Sequence, residues 1–194
     1  MRMLRVLTTV FLCLAVAACG GTDGAGNQAA GSNAAASGDA PVPGTRTIGD
    51  ALAASADHAA FVRALQSAGL ADTFRGASPY TVFAPTEAAF AALPEDVRSG
   101  LESADQRDRL IALLSYHVVP GTVTAADMTA AIARGPGGRA ELATVTGASL
   151  RLSREGDSII IEDAAGTHAR ITAPDQLQSN GVVHSIDTVL MPAD

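Results

Sequence analysis

A segment near the start of the chain contains almost nothing that a protein core can use. Residues 20–44 are mainly glycine, alanine, serine and asparagine, with one valine as the largest apolar side chain. Such a composition cannot offset the entropy lost on ordering, so we expect a disordered linker with a root-mean-square reach of roughly 25–30 Å. The hydrophobic core must then form from residues 45–194, which predicts one folded domain of ordinary size.

The residues before this linker have the pattern of an export signal. Two arginines precede an apolar run over residues 6–18, which is shorter than the roughly 20 residues needed to cross a bilayer. Residues 16–19, Val-Ala-Ala-Cys, have the form of a bacterial lipobox, in which small residues precede a cysteine that receives a diacylglyceryl group. We therefore expect residues 1–18 to be a lipoprotein signal peptide and Cys19 to carry the lipid anchor.

The alternative is an ordinary secretory signal that contains a cysteine by chance. Lipidation fits the cysteine count, because Cys13 would leave with the signal and Cys19 would carry lipid, so the mature chain would hold no thiol and no disulfide. Loss of two arginines with the signal makes the formal charge of −7 more negative, so charge cannot attract the chain to anionic lipid. Gly20, rather than aspartate, follows the cysteine, which favours the outer membrane, with the domain facing the periplasm or the cell exterior.

The acidic balance of the chain also argues against nucleic acid as a partner. The chain has 20 acidic residues against 13 basic ones, and all of the basic ones are arginine. Neutralising a phosphate backbone needs a basic face, so we expect no contact with nucleic acid.

Helical spacing of apolar residues predicts four helices in the domain. In the first, Asp57 is expected to be the cap and Gly69 the end, and Thr86 is expected to cap the second. The predicted segments are residues 57–69, 86–93, 110–116 and 125–133.

The period changes towards two in the second half of the domain, which predicts strands. Glycines and an Asn-Gly pair supply the turns between them. The expected strands are residues 80–84, 142–146, 149–153, 158–162, 169–173 and 181–191. Helices followed by a strand-rich half indicate the α+β class.

Three blocks of the chain resemble the signatures of the fasciclin (FAS1) domain family. Residues 81–90, Thr-Val-Phe-Ala-Pro-Thr-Glu-Ala-Ala-Phe, are similar to the first signature, and residues 116–121, Tyr-His-Val-Val-Pro-Gly, to the central block. Residues 180–192, which begin Asn-Gly-Val-Val-His-Ser-Ile-Asp, are similar to the second signature. The blocks occur in the family's order, and the resemblance covers residues 45–194. One departure is Glu87, where the family more often has aspartate.

The resemblance implies a FAS1-like β-sandwich or wedge wrapped by several α-helices. It also implies a role in adhesion or extracellular binding without catalysis or a cofactor. Members of the family often carry several copies of the domain, whereas this chain has one.

Tyr116 and His117 are the candidate partner-binding residues. Similar Tyr-His blocks are implicated in adhesion in animal relatives, and Tyr116 is the better candidate for the surface. His117 stands among Leu114, Val118 and Val119, so a buried, hydrogen-bonded core histidine is the interpretation we favour over a partner contact.

Patterns that indicate an enzyme or a metal site are missing. The sequence contains no Gly-x-Ser-x-Gly and no lysine, and its histidines lack the short spacings of zinc sites. We therefore expect no catalytic residue, no metal ligand and no cofactor.

The leading hypothesis is a non-catalytic binding and cell-adhesion module that a lipid anchor displays on the bacterial envelope. Its partner would be an envelope or extracellular protein, with a matrix component or a surface polysaccharide as alternatives. Few aromatic residues are available to stack on sugars, which favours protein. The alternative function is binding of a small apolar ligand, a lipid or pigment, in a pocket between the sheet and the helix around residues 110–114.

Overall fold

The computed structural model describes residues 44–95, 98 and 106–192. The predicted signal peptide, Cys19 and nearly all of the predicted linker lie outside these residues. The described residues form five α-helices, joined in places by short 3₁₀ turns. The helices are α1 (Ile48–Ala54), α2 (Ala59–Ala68), α3 (Glu87–Ala91), α4 (Arg107–Tyr116) and α5 (Ala125–Arg134).

Seven strands form a mixed sheet in the order β2-β1-β7-β6-β5-β4-β3. Strands β1 and β7 are parallel, and the other neighbours are antiparallel. The strands are β1 (Tyr80–Pro85), β2 (Val118–Pro120), β3 (Ala140–Ala143), β4 (Ser149–Glu155), β5 (Ser158–Glu162), β6 (His168–Gln178) and β7 (Gly181–Ile186). The two edges of the sheet approach each other, since the N–H of Val145 donates to the carbonyl of Val118 at 2.9 Å.

The sheet separates two apolar clusters, as alternation along a strand requires. On β1, Val82 and Ala84 face a cluster that the helices α1 to α4 cover, whereas Phe83 faces a second cluster beneath α5. The predicted α+β class, with helices packed around a sheet, is therefore confirmed.

Strand β6 is longer than predicted because an irregular stretch lets it pair with two neighbours. Its first residues pair with β5 and its last with β7, and the register shifts between Ile171 and Gln176. Asp175, within the shifted stretch, has φ of 55°. A bulge of this kind bends a strand without ending its pairing, so Pro174 is accommodated there.

Other predicted boundaries need correction. Strand β3 begins two residues and ends three residues earlier than predicted, and β7 ends at Ile186. Neither α1 nor β2 was predicted. Gly69 ends α2 in the left-handed conformation, as expected, but the predicted cap is wrong. Asp57 lies in a 3₁₀ turn, and the helix amide of Ala60 is instead bonded by the Glu87 carboxylate at 2.7 Å.

Candidate functional site

His117 follows α4 and is completely buried. The backbone N–H of Leu190 donates to its Nε2 atom at 3.0 Å, so Nδ1 carries the proton and donates to the carbonyl of Leu113 at 2.8 Å. Burial disfavours the imidazolium and lowers the pKa of His117 to about 4. The ring is thus neutral at pH 7 and joins α4 to the end of the domain.

Tyr116 is also completely buried, and the expectation that it lies at the surface is wrong. Its ring packs in the second cluster, and its hydroxyl oxygen accepts the N–H of Ala164 at 3.0 Å. Burial raises the pKa of this hydroxyl, and the hydrogen bond from Ala164 opposes the effect. The phenol therefore supports the turn between β5 and β6.

Asp163 lies in the same turn. No pattern in the sequence distinguishes this residue from an acidic side chain exposed to solvent. It is buried, and its carboxylate accepts the N–H of Thr167 at 2.7 Å and that of Met191 at 2.8 Å. Tyr116, His117 and Asp163 therefore form one group that fixes the β5–β6 turn and residues 187–192, here called the C-terminal segment.

Asn180 joins three parts of the chain at the turn before β7. Its side-chain oxygen accepts the N–H of Ile48 at 2.7 Å, and its amide nitrogen donates to the carbonyls of Phe74 and Gly76 at 2.9 and 2.7 Å. The side-chain amide of Asn180 thus both accepts from and donates to backbone groups of other segments. The expected Asn-Gly turn is present, and its asparagine also anchors α1.

His184, on β7, joins β6 to the residues before α5. Its Nδ1 atom accepts the N–H of Asp175 at 3.1 Å, so Nε2 donates to the carbonyl of Val123 at 2.9 Å. Its ring stacks on Phe83, and burial lowers its pKa. The Asp175 carboxylate in turn accepts the N–H of Ala125 at 2.7 Å, at the start of α5.

A serine–histidine contact, which the sequence did not reveal, lies nearby. The hydroxyl of Ser185 is 3.0 Å from Nε2 of His58, and Ser55 is 3.0 Å from Nδ1 of the same ring. His58 and Ser185 are at most 4% exposed, so a substrate has no direct access to the pair in this structure. The contact fastens the 3₁₀ turn before α2 to the sheet.

Open grooves lie beside helices on the described surface, and two of them have alanines along a helix. A groove of about 350 Å³ between α2 and α3 has a floor of alanines and Phe90, with Arg63 and Arg98 at its rim. These arginines are paired with Glu87 and Glu95, respectively. A second groove of about 570 Å³ lies along the exposed alanines of α5, against Ile159, Ile171 and Pro174.

A pocket was expected between the sheet and the helix around residues 110–114, but the leucines of that helix are packed in the core and line neither of the two grooves. Leu110, Leu113 and Leu114 are at most 3% exposed and belong to the helix-side core. The same residues instead pack α4 against the sheet and α2.

Neither a metal-binding cluster nor a membrane-spanning helix occurs among the described residues. Their histidine, aspartate and glutamate side chains do not gather in groups of three or more that could hold an ion. Every helix in this part of the chain is too short or too polar to cross a bilayer.

Comparisons with known proteins agree with this architecture. The family model described as the fasciclin domain matches residues 56–192. Protein sll1483 of Synechocystis sp. is 34% identical over 146 residues, covering 75% of this chain and 73% of that protein. The transforming growth factor-beta-induced protein ig-h3 of Sus scrofa is 33% identical over 150 residues, covering 77% of this chain but only 20% of that protein.

A solved structure shows the same fold. A FAS1 domain pair from the insect cell adhesion molecule fasciclin I matches with a TM-score of 0.68 at 19% identity. The match covers 76% of this chain and 51% of the solved chain, which is the longer of the two.

Proposed function

The chain belongs to the fasciclin domain family, and from this premise we propose that it is a non-catalytic binding module of the adhesion type. The observation that carries the proposal is that side chains of the family signatures lie in the interior and bond to the backbone. Tyr116, His117, Asn180 and His184 are buried and bonded to backbone groups, so they maintain a scaffold. Recognition is then left to the exposed surface. The matched FAS1 pair comes from a cell adhesion molecule, which supports a role of the adhesion type.

Tyr116 and His117 have an indirect role in this proposal. They hold the β5–β6 turn and the C-terminal segment in place, so their substitution would alter a nearby binding surface without removing a contact. A loss of binding in such variants must therefore be compared with a loss of stability.

The partner that this surface suits best is an envelope or extracellular protein. Binding of a polysaccharide usually needs exposed aromatic faces, but the chain has no tryptophan and only two tyrosines. Of these, Tyr116 is buried and Tyr80 is half-buried, with its ring against Phe74. The groove between α2 and α3 and the groove along α5 are the candidate contact surfaces.

The proposal is tested by crosslinking and pull-down of the full chain from intact cells. Ala91→Arg places a large charged side chain at the first groove and Ala130→Arg does so at the second, on exposed helix positions in both cases. We expect one protein to be recovered with the wild type and lost with one of the two variants, each serving as the control for the other. Recovery of no protein above a strain that lacks the chain would contradict the adhesion role.

The anchor in this proposal is a lipid on Cys19, which would display the domain on the envelope, with the outer membrane favoured. The two cysteines of the chain provide a matched test. We expect Cys19→Ser to abolish incorporation of labelled fatty acid and to release the chain from the membrane fraction, while Cys13→Ser leaves both unchanged. A Cys19→Ser chain that remains lipid-labelled would refute the anchor.

A further inference from the structure

Two buried acceptors from different parts of the fold hold neighbouring amides of the C-terminal segment. Nε2 of His117 accepts the N–H of Leu190, and the Asp163 carboxylate accepts that of Met191. Leu190 is itself fully buried, in the cluster that contains Tyr116. We propose that His117 and Asp163 form an acid-released clasp, in which protonation of His117 frees the C-terminal segment before the whole domain unfolds.

The chemistry of the release follows from the tautomer of the ring. In the neutral ring Nδ1 already donates to Leu113, so a proton from solvent can only add at Nε2. The new N–H then faces the N–H of Leu190, and an attraction becomes a repulsion. The Asp163 carboxylate attracts the imidazolium and so opposes the release, but burial is the larger effect and disfavours the charged ring.

Among the groups packed around His117, Asp163 is the charged one that affects the pKa of the ring. From α2 the ring of Phe61 packs at a centroid distance of 6.0 Å, and from its own helix the adjacent titratable group is the Tyr116 hydroxyl, which is bonded to Ala164. The β1 strand contributes the backbone N–H of Phe83, which donates to the His117 carbonyl. Burial is the largest influence on the ring and lowers its pKa to about 4, against the opposing effects of Leu113 and Asp163.

Release of the segment would return His117 to water, where a histidine has a pKa of about 6.5. Opening therefore takes up a proton between these two values, and acid favours the open state. The equilibrium constant for opening should increase about 30-fold between pH 7.5 and pH 5. This is the increase expected for a ring whose pKa is about 4 in the closed state and about 6.5 in the open state.

The test is amide hydrogen exchange, measured by NMR on the full chain between pH 7.5 and pH 5 and corrected for the intrinsic exchange rate. We expect the protection of Leu190 and Met191 to fall about 30-fold, and to stay below that of Val182 and Val183 in β7 at every pH, because the segment opens before the whole domain unfolds. Unchanged protection at Leu190 and Met191 would overturn the proposal. So would equal protection at all four amides at each pH, because the segment would then open only in global unfolding.

Variants separate His117 from other acid effects. His117→Gln should remove the pH dependence at Leu190, whereas the matched change His168→Gln, at an exposed histidine, should keep the 30-fold change. Retention of the full change in His117→Gln would refute the role of the ring. If that variant does not fold, Asp163→Asn is the second test, with exchange measured to below pH 4, since loss of the carboxylate should lower the pKa of the buried ring and move the exchange midpoint to lower pH. A midpoint that stays or rises would also refute the clasp.

Discussion

Gly181 lies where the first residue of β7 passes beside the first residue of β1. Its φ is 145°, and a Cβ atom there would overlap the backbone carbonyl of Tyr80. The parallel pairing of β1 with β7 fixes both backbones, so neither can move away cheaply. The glycine is therefore required both by its conformation and by a close approach.

We expect Gly181→Ala to lower the free energy of unfolding by more than about 3 kcal/mol, since it combines strain with a backbone overlap. Gly147→Ala is the control, because Gly147 also has a positive φ but has open space around it, and its cost should be about 1 kcal/mol. Urea denaturation of both variants measures the difference. Equal losses would show that the approach to Tyr80 is unimportant.

Asn180→Asp replaces the side-chain amide of the residue before Gly181 with a carboxylate. The Asp side chain can still accept from Ile48, but it cannot donate to the carbonyls of Phe74 and Gly76. Because two buried carbonyls then face a carboxylate, we expect a loss of about 2–4 kcal/mol in urea denaturation at pH 7. Gln178→Glu, the same change beside a 3.5 Å contact, should cost less than about 0.5 kcal/mol. Similar costs for the two variants would argue against the role of Asn180.

The turn at these two residues could be predicted from the sequence, but its partners could not. An Asn-Gly pair is a local signal, and the positive φ at Gly181 follows it. The partners of Asn180 lie more than 100 residues earlier in the chain. No local pattern reports such a distance, and for the same reason Asp163 could not be distinguished from a surface acid.

At the scale of the elements, the helices were predicted best because caps and apolar spacing are local. Thr86 caps α3 as expected, and α4 and α5 occupy nearly the predicted residues. The strands were predicted less well, since pairing decides where they end. The apolar pattern continues past Ile186, but Val189 and Leu190 lie in the C-terminal segment, where they are buried in the two core clusters without extending β7.

Glu87 connects two elements and replaces the cap that the sequence assigned to Asp57. Its two carboxylate oxygens meet the N–H of Ala60 and the guanidinium of Arg63, so α3 closes the start of α2. The departure from aspartate noted in the sequence thus coincides with a contact between helices.

We expect Glu87→Ala to cost about 1 kcal/mol of folding free energy, since it removes an acceptor for a helix-terminal amide. Glu155→Ala is the matched control, because Glu155 makes only an exposed ion pair with Arg170 at 3.7 Å, and its cost should be below about 0.5 kcal/mol. Thermal denaturation monitored by circular dichroism compares them. A larger effect at Glu155 would contradict this assignment of the cap.

At the scale of the whole molecule, three histidines join distant parts of one core. His58 links the start of α2 to the sheet, His117 links α4 to the C-terminal segment, and His184 links β7 to the bulge of β6 and to the residues before α5. Burial lowers the pKa of each ring. All three must therefore fold in the neutral form.

This arrangement fixes the sign of the pH dependence of stability. Between the lowered folded pKa and the unfolded value of about 6.5, the unfolded chain binds more protons, so the free energy of unfolding rises with pH. The stabilisation is fully present above about pH 6.5 and is lost as the pH falls towards 4. His117 alone should account for about 2 kcal/mol of the loss at pH 5, and His58 and His184 act in the same direction.

Urea denaturation of the full chain at pH 7 and pH 5 measures this loss, and we expect it to exceed about 2 kcal/mol. His168→Gln is the control, because His168 is exposed and its removal should leave the difference unchanged. Asp50 and Asp127, whose pKa values are lowered by hydrogen bonds from Thr47 and Thr124, respectively, lose their contributions only at lower pH. A free energy of unfolding that stays constant between pH 5 and 7 would show that the three rings bind protons equally in the folded and unfolded chains, so that burial does not lower their pKa values. The hydrogen bonds of the three rings would then contribute to stability without a pH dependence in this range.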